Sequence, residues 1–236
     1  MASPKGIVMQ ALDEGRNKLL EHEAYEFLRY FDLPVPRFGL ARSPEEAVEL
    51  AERIGYPIVL KIVSPDIVHK SDVGGVVVGV ATGSDVRRAF ERIEANVKLR
   101  APGARVAGIL IQEMVPQDLE VIVGATRDPV FGPVVMFGLG GIFVEVLKDI
   151  SLRIAPVTRY DAEEMLNEIK ASNILRGYRG MPPRDRGALV DIIVKIGRVM
   201  LEVSEVTDID LNPIMAFPEG RGAKIADARV LVRRVE

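Results

Sequence analysis

The sequence predicts an α+β fold. Apolar residues recur at helical spacing in some segments and fill strand-length runs in others. The two kinds of segment follow one another in mixed order, with several hairpins, rather than as a regular βαβ array. No repeat, low-complexity tract or flexible linker interrupts them.

Leu19, Leu20, Ala24, Phe27, Leu28 and Phe31 predict one amphipathic helix from about Gly15 to Phe31, ended by Pro34 and Pro36. Ser43-Pro44-Glu45-Glu46 reads as a capping box with proline in the first turn, opening a helix to about Ile54 that Gly55 stops. Tyr56 to Val63 reads as an apolar strand, Ser64 to Asp72 as a polar stretch, and Gly75 to Val80 as a second strand. Ser84 is the expected cap of a helix from Asp85 to about Arg100. Strands are expected at Val106–Val115, Leu119–Thr126, Pro133–Phe137 and Ser151–Ala155. Thr158-Arg159-Tyr160-Asp161 opens a helix to about Ser172, and another runs from about Arg184 to Leu201. Glu205–Phe217 and Ala223–Val232 close the chain as a hairpin.

The 236 residues suffice for one large domain or two small lobes with a real core. At 48% hydrophobic and 28% charged residues, the composition is that of a soluble globular protein and not of a disordered one. The net charge of -3 leaves no global basic field to recruit nucleic acid. The absence of cysteine excludes disulfides, iron–sulfur clusters, thiolate zinc sites and cysteine nucleophiles, and 2 histidines cannot build a three-histidine site. No apolar run approaches the roughly 18 residues of a membrane span. Met1 to Gln10 lacks the apolar core of a signal peptide, so a cytoplasmic protein without a membrane partner is expected. Scarce asparagine, glutamine and cysteine hint at a heat-tolerant source.

Several residues depart from this background. Lys61 interrupts Ile58-Val59-Leu60 and Ile62-Val63, where a lysine among apolar neighbours is costly unless an anion meets it. It reads either as an edge-strand lysine facing solvent or as a lysine held against a phosphate. His69 lies in a polar stretch between Asp66 and Asp72, ahead of Gly74-Gly75, and is either a solvated loop histidine or a nucleophile and proton carrier. His22, on the polar face of the first helix, is read as structural.

The last hairpin is more specific. Asp208, Asp210 and Asn212 share one strand face by the two-residue period. A turn centred on Glu219-Gly220 places Asn212 opposite Asp227, beside Asp210. Oxygen ligands of low total charge suit a Mg²⁺ that also holds phosphate oxygens; the other reading is a solvated polar face. Glu113 to Val115, ending an apolar strand, and Glu120 beyond Pro116 form an acidic hinge able to offer backbone groups to a base and a carboxylate to ribose hydroxyls. Gly138-Leu139-Gly140-Gly141 matches neither a P-loop nor a dinucleotide fingerprint and reads as a hairpin turn. Arg153 is a further cation in an apolar strand and a candidate phosphate partner.

With strand lysine, acidic hinge and Asp-x-Asn-Pro hairpin in this order, the chain resembles the ATP-grasp fold. Across nearly its whole length it resembles the β subunits of ADP-forming acetyl-CoA synthetases, relatives of succinyl-CoA synthetase. Asp32-Leu33-Pro34-Val35-Pro36, Tyr56-Pro57-Ile58-Val59-Leu60-Lys61, Val68-His69-Lys70-Ser71-Asp72-Val73-Gly74-Gly75 and Leu175-Arg176-Gly177-Tyr178-Arg179-Gly180 carry the resemblance, the histidine stretch most specifically. The resemblance implies two lobes clamping a nucleotide: residues 37–116, and residues 1–36 with 117–236. It implies the reaction acyl-CoA + ADP + phosphate ⇌ carboxylate + CoA + ATP. A partner α subunit would bind CoA and carry its own phosphohistidine, as an α2β2 assembly.

Residue by residue, the resemblance makes His69 the relay of the phosphoryl group and Lys61 the nucleotide-phosphate lysine. Glu113, Met114 and Val115 become the adenine hinge, Glu120 the ribose carboxylate, and Asn212 and Asp227 the Mg²⁺ ligands. Asp210 stands where the family's glutamate orients the phosphohistidine, and the shorter acid leaves Asp208 as its rival. Arg153 is expected at the γ-phosphate. The His69 loop, residues 64–75, is expected to move. A chain of this length lacks the CoA-binding region of fused relatives, which implies the separate partner. Two other readings remain: a non-catalytic ATP-binding sensor or scaffold, which needs Lys61 and the hinge but no nucleophile, and an ATP-grasp carboxylate–amine ligase.

Overall fold

The computed structural model describes residues 3–67, 69–141 and 148–235. The chain divides into two compact units: Leu20–Glu23 with Pro36–Val115, and Met1–Leu19 with Ala24–Val35 and Pro116–Glu236.

In the first unit, β1 (Phe38–Ala41), β2 (Ile58–Val63), β3 (Val76–Val80) and β4 (Gly108–Glu113) form an antiparallel sheet in the order β1-β4-β2-β3. Helices α3 (Pro44–Ile54) and α4 (Gly83–Arg100) bring Ala47, Ala51, Ile54, Val86, Phe90, Ile93 and Val97 into one core with Ile58, Leu60, Ile62, Ile109 and Ile111. Ser43 caps α3 as its sequence predicts, accepting from the Glu46 N–H at 3.2 Å. Thr82, not Ser84, caps α4, because its Oγ1 sits 3.2 Å from the Asp85 N–H.

The second unit begins with α1 (Pro4–Asp13), and its chain also runs through most of α2 (Glu21–Arg29). The single helix expected over Gly15–Phe31 is therefore wrong. Gly15, at φ 72°, ends α1, and the following segment is drawn out as an extended partner of the chain's last strand. There the Leu19 N–H donates to Val230 O at 3.0 Å and the Val232 N–H to Asn17 O at 2.8 Å. Tertiary pairing overrides a helical period that Leu19 and Leu20 happen to continue.

The unit's sheet is antiparallel, in the order β10-β8-β5-β6-β7, with β9 also paired to β8. Its strands are β5 (Leu119–Asp128), β6 (Gly132–Leu139), β7 (Ile150–Ile154), β8 (Val206–Ala216), β9 (Ala223–Ile225) and β10 (Ala228–Val232). Helices α5 (Arg159–Glu168), α6 (Ser172–Leu175) and α7 (Arg186–Glu202) follow β7. Buried residues of α5 and α7, among them Met165, Leu166, Ile193, Ile196 and Met200, share the core with Val123, Val135 and Phe137. Gly138 and Leu139 are part of β6 rather than of a turn, and Ile142 to Leu147 lie outside the described residues. A side chain at Gly138 would meet Asp149 O at 2.9 Å and one at Gly140 would meet Glu120 Cβ at 2.9 Å, so these glycines permit close strand approach.

Thr158 and Asp161 close a reciprocal capping box on α5: the Asp161 N–H donates to Thr158 Oγ1 at 3.1 Å and the Thr158 N–H to Asp161 Oδ2 at 2.9 Å. The Thr158 hydroxyl and backbone hold the Asp161 carboxyl below the usual carboxylate range. The cap's contribution is therefore present above that range and lost as pH falls through the lowered value. Thr158→Ala is expected to destabilise this unit by about 1 kcal/mol at neutral pH. The deficit, read from urea midpoints, should shrink on acidification.

Candidate functional site

Among the described residues, the candidate groups fall into two sets, one on each unit. In the first unit, β2 lies between β3 and β4, with Lys61 opposite both Val76 and Leu110, so its edge-strand reading does not hold. The Lys61 side chain is 13% exposed and its anion is a carboxylate: Nζ lies 2.6 Å from Glu21 Oε1. Lys70 Nζ reaches the other oxygen, Glu21 Oε2, at 2.5 Å. Sequence reasoning missed Glu21, because a helix-opening glutamate 40 residues from one lysine and 49 from the other carries no local signal.

His69 is exposed, next to Lys70 and beyond Val68, which lies outside the described residues. Both flanks of its segment are pinned. Asp66 takes a fork from Arg105, with contacts at 2.7 and 3.0 Å, and accepts the Arg105 N–H at 2.8 Å. On the far side, Asn96 Nδ2 donates to Gly74 O at 3.1 Å and Arg100 Nη1 to Asp72 O at 3.2 Å. Gly74 has φ +66°, and a Cβ on Gly75 would lie 2.4 Å from Ile62 Cγ2, so the diglycine answers a tight fit.

The expected hinge ends this unit. Glu113 donates its N–H to Arg37 O at 2.8 Å, and its carboxylate accepts from Arg37 N at 3.0 Å. The Met114 N–H donates to Pro57 O at 3.2 Å; Met114 is exposed and Val115 buried. A base at this strand end would have to use other backbone groups of the segment.

In the second unit, one face of the sheet lines a hollow of about 500 Å³. Ile122, Val134, Met136 and Leu152 give it an apolar floor, and Thr126, Asp208, Asp210, Asn212 and Arg229 a polar side. The three β8 side chains thus share a face, as the two-residue period predicts. Asp208 is engaged, accepting from Thr126 Oγ1 at 2.8 Å. Asp210 stands opposite Arg229, and desolvation in the hollow raises its carboxyl above the ordinary value while Arg229 opposes the rise.

The hairpin turns where the sequence places it, with the Arg221 N–H donating to Pro218 O at 2.9 Å. Ile214–Ile225 pairs on one side and Leu211–Ala228 on the other, both in the expected register, so Asn212 and Asp227 come opposite each other between two ladders. A carboxamide oxygen and a carboxylate there suit a divalent ion that phosphate oxygens and water complete. Among the described residues, no group of three or more His, Cys, Asp or Glu forms a metal cluster on protein ligands alone.

Glu120 is exposed on β5, and its carbonyl accepts the Gly140 N–H at 2.8 Å. Arg153 departs from expectation. Its neighbour Leu152 faces the hollow, whereas Arg153 forks onto Glu168 of α5, with Nη1 to Oε2 at 2.9 Å. That carboxylate raises the Arg153 pKa further. In this structure the Arg153 guanidinium is held by that ion pair. No described helix is long and apolar enough to cross a membrane.

A family model described as an ATP-grasp domain matches residues 10–232. The chain is 50% identical, over 98% of its own length and 99% of the relative's, to the β subunit of acetate–CoA ligase [ADP-forming] I of Pyrococcus furiosus. It is 47% identical over 90% of its length to acetate–CoA ligase [ADP-forming] I of Archaeoglobus fulgidus, of which it spans 31%. Among solved structures, it matches a chain of acetyl-coenzyme A synthetase 1 of Ca. Korarchaeum cryptofilum, in complex with coenzyme A and Ca-AMPCP, at TM-score 0.93 and 48% identity, covering 98% of this chain and 100% of that one. The same protein with Mg-AMPPCP, its phosphohistidine segment pointing towards the nucleotide binding site, matches at TM-score 0.87 and 44% identity, with the same coverage.

Proposed function

The chain belongs to the ATP-grasp family and, within it, to the β subunits of ADP-forming acetate–CoA ligases; from that premise we propose that it relays a phosphoryl group between a partner subunit and ADP through a phosphohistidine at His69. The full reaction is acyl-CoA + ADP + phosphate ⇌ carboxylate + CoA + ATP. Lys61 meets the nucleotide phosphates, Glu113 to Val115 bind the base, Glu120 takes the ribose hydroxyls, and Asp210 orients a phosphorylated imidazole. Asn212 and Asp227 hold a divalent ion, Mg²⁺, which supplies charge neutralisation on the phosphates when bound. The partner is an α subunit with the CoA-binding domain and its own phosphohistidine, assembled as α2β2 in the cytoplasm. The far greater length of the Archaeoglobus relative supports the idea that the remaining steps lie on further domains, which that relative carries in one chain.

The observation that carries this reading is the exposed His69 in a segment pinned at both flanks, next in sequence to Lys70, which shares the Glu21 carboxylate with the largely buried Lys61. Phosphoryl transfer asks mainly for positioning and charge neutralisation, and the pinned flanks and the lysines on Glu21 support that reading. Mass spectrometry under non-acidic conditions, after mixing the chain with Mg-ATP, should find one acid-labile phosphoryl group on the peptide containing His69. An unmodified chain, even with the α subunit added and nucleotide demonstrably bound, would favour a sensing module and end the proposal.

A further inference from the structure

Lys61 and Lys70 share one carboxylate. Glu21 is almost wholly buried, its side chain 3% exposed, and each of its oxygens takes one ammonium group. One of those lysines sits in an interior strand, and the other is the residue next to exposed His69. A buried carboxylate without any cation would be costly, so Glu21 needs at least one of the two lysines beside it. The pinned flanks, Asp66 on Arg105 at one end and Asp72 and Gly74 on Arg100 and Asn96 at the other, leave His69 to Ser71 tied to the body of the unit through the Lys70 ion pair.

We infer that Glu21 is a positioning residue: through Lys70 it latches the His69 segment, and through Lys61 it makes the latch responsive to anions. An anion drawn to Lys61 competes with Glu21 for that ammonium and repels its carboxylate. The hold on Lys70 is altered in consequence, and by linkage a change at Lys70 alters anion affinity at Lys61. The phosphate group of a nucleoside diphosphate is the anion that fits, a step that rests on the reading above; the latch itself does not.

Hydrogen exchange of the full chain separates the two. Without ligand, Lys70→Met, which keeps the Lys61–Glu21 pair, should speed exchange at amides 69–72 about tenfold, leaving α4 and β2 unchanged. Glu21→Gln should do the same, with a fall in melting temperature that Lys70→Met does not share. Unchanged exchange in Lys70→Met would overturn the latch, whatever the fate of Glu21→Gln. With Mg-ADP at saturation, wild-type exchange at 69–72 should change several-fold and that of Lys70→Met should not. Equal responses in both would overturn the coupling. Equilibrium dialysis of Mg-ADP, run alongside, reports separately on nucleotide binding: a chain that binds none while Lys70→Met still loosens the segment loses the nucleotide reading and keeps the latch.

Discussion

His69→Ala should abolish the acid-labile phosphoryl adduct and lower steady-state acyl-CoA synthesis with the α subunit by on the order of a thousandfold or more. The imidazole nitrogen supplies the electron pair for the new P–N bond, the bond from the γ-phosphorus to the bridging oxygen breaks, and its electrons leave with ADP. Alanine has no such pair, and water reaching the same phosphorus would yield only hydrolysis. Because His69 is exposed, its removal should leave stability within about 0.5 kcal/mol. Mg-ADP affinity should stay within about twofold, since the charge at Lys61 is untouched. The split matters: a loss of turnover together with ADP affinity would mean a damaged nucleotide site, not a missing nucleophile. Retention of the adduct in His69→Ala would move the phosphoryl group to another residue.

How much of this was legible depended on how far each partner lies along the chain. The last hairpin was readable because its turn fixes its register: once Glu219 and Gly220 are central, the pairing of Asn212 with Asp227 follows from counting, and Ile214–Ile225 and Leu211–Ala228 keep it. The mixed α+β order and the caps at Ser43 and Thr158 were likewise local. Lys61 announced itself by interrupting an apolar strand, but not the identity of its anion, since Glu21 is remote in sequence and ordinary in its helix. The partner of Arg153 was hidden for a related reason. Its face could have been inferred from parity, since Leu152 takes the hollow, but Glu168 belongs to a helix that periodicity alone does not dock. The first helix failed because a period cannot show that Asn17 and Leu19 bond to another strand.

The largest expected effect on stability lies at Asp118. Arg184 is buried, its side chain 7% exposed, and its Nη1 lies 2.5 Å from Asp118 Oδ1. Its Nε is buried with no hydrogen-bond partner, so the guanidinium depends heavily on that one carboxylate. Asp118→Ala leaves a buried cation uncompensated and should destabilise the second unit by roughly 3–5 kcal/mol. The double variant Asp118→Leu with Arg184→Met removes both charges and should recover most of the loss, because apolar groups of similar volume often replace a buried pair at little cost. Urea midpoints at constant slope would measure both.

The functional consequence follows from what surrounds Arg184. Its N–H donates to Leu175 O at 2.9 Å, the next N–H, of Asp185, donates to Phe217 O at 2.9 Å, and Asp185 Oδ2 accepts the Gly222 N–H at 2.9 Å. This strap holds the turn that sets Asn212 opposite Asp227. Divalent-ion affinity, read by titration with Mn²⁺, should therefore fall in Asp118→Ala and return in the double variant. A double variant as unstable as the single one would show that Arg184 is held by packing rather than charge. A stable double variant with weakened Mn²⁺ binding would show that the ion pair itself, and not the strap, keeps the hairpin in register.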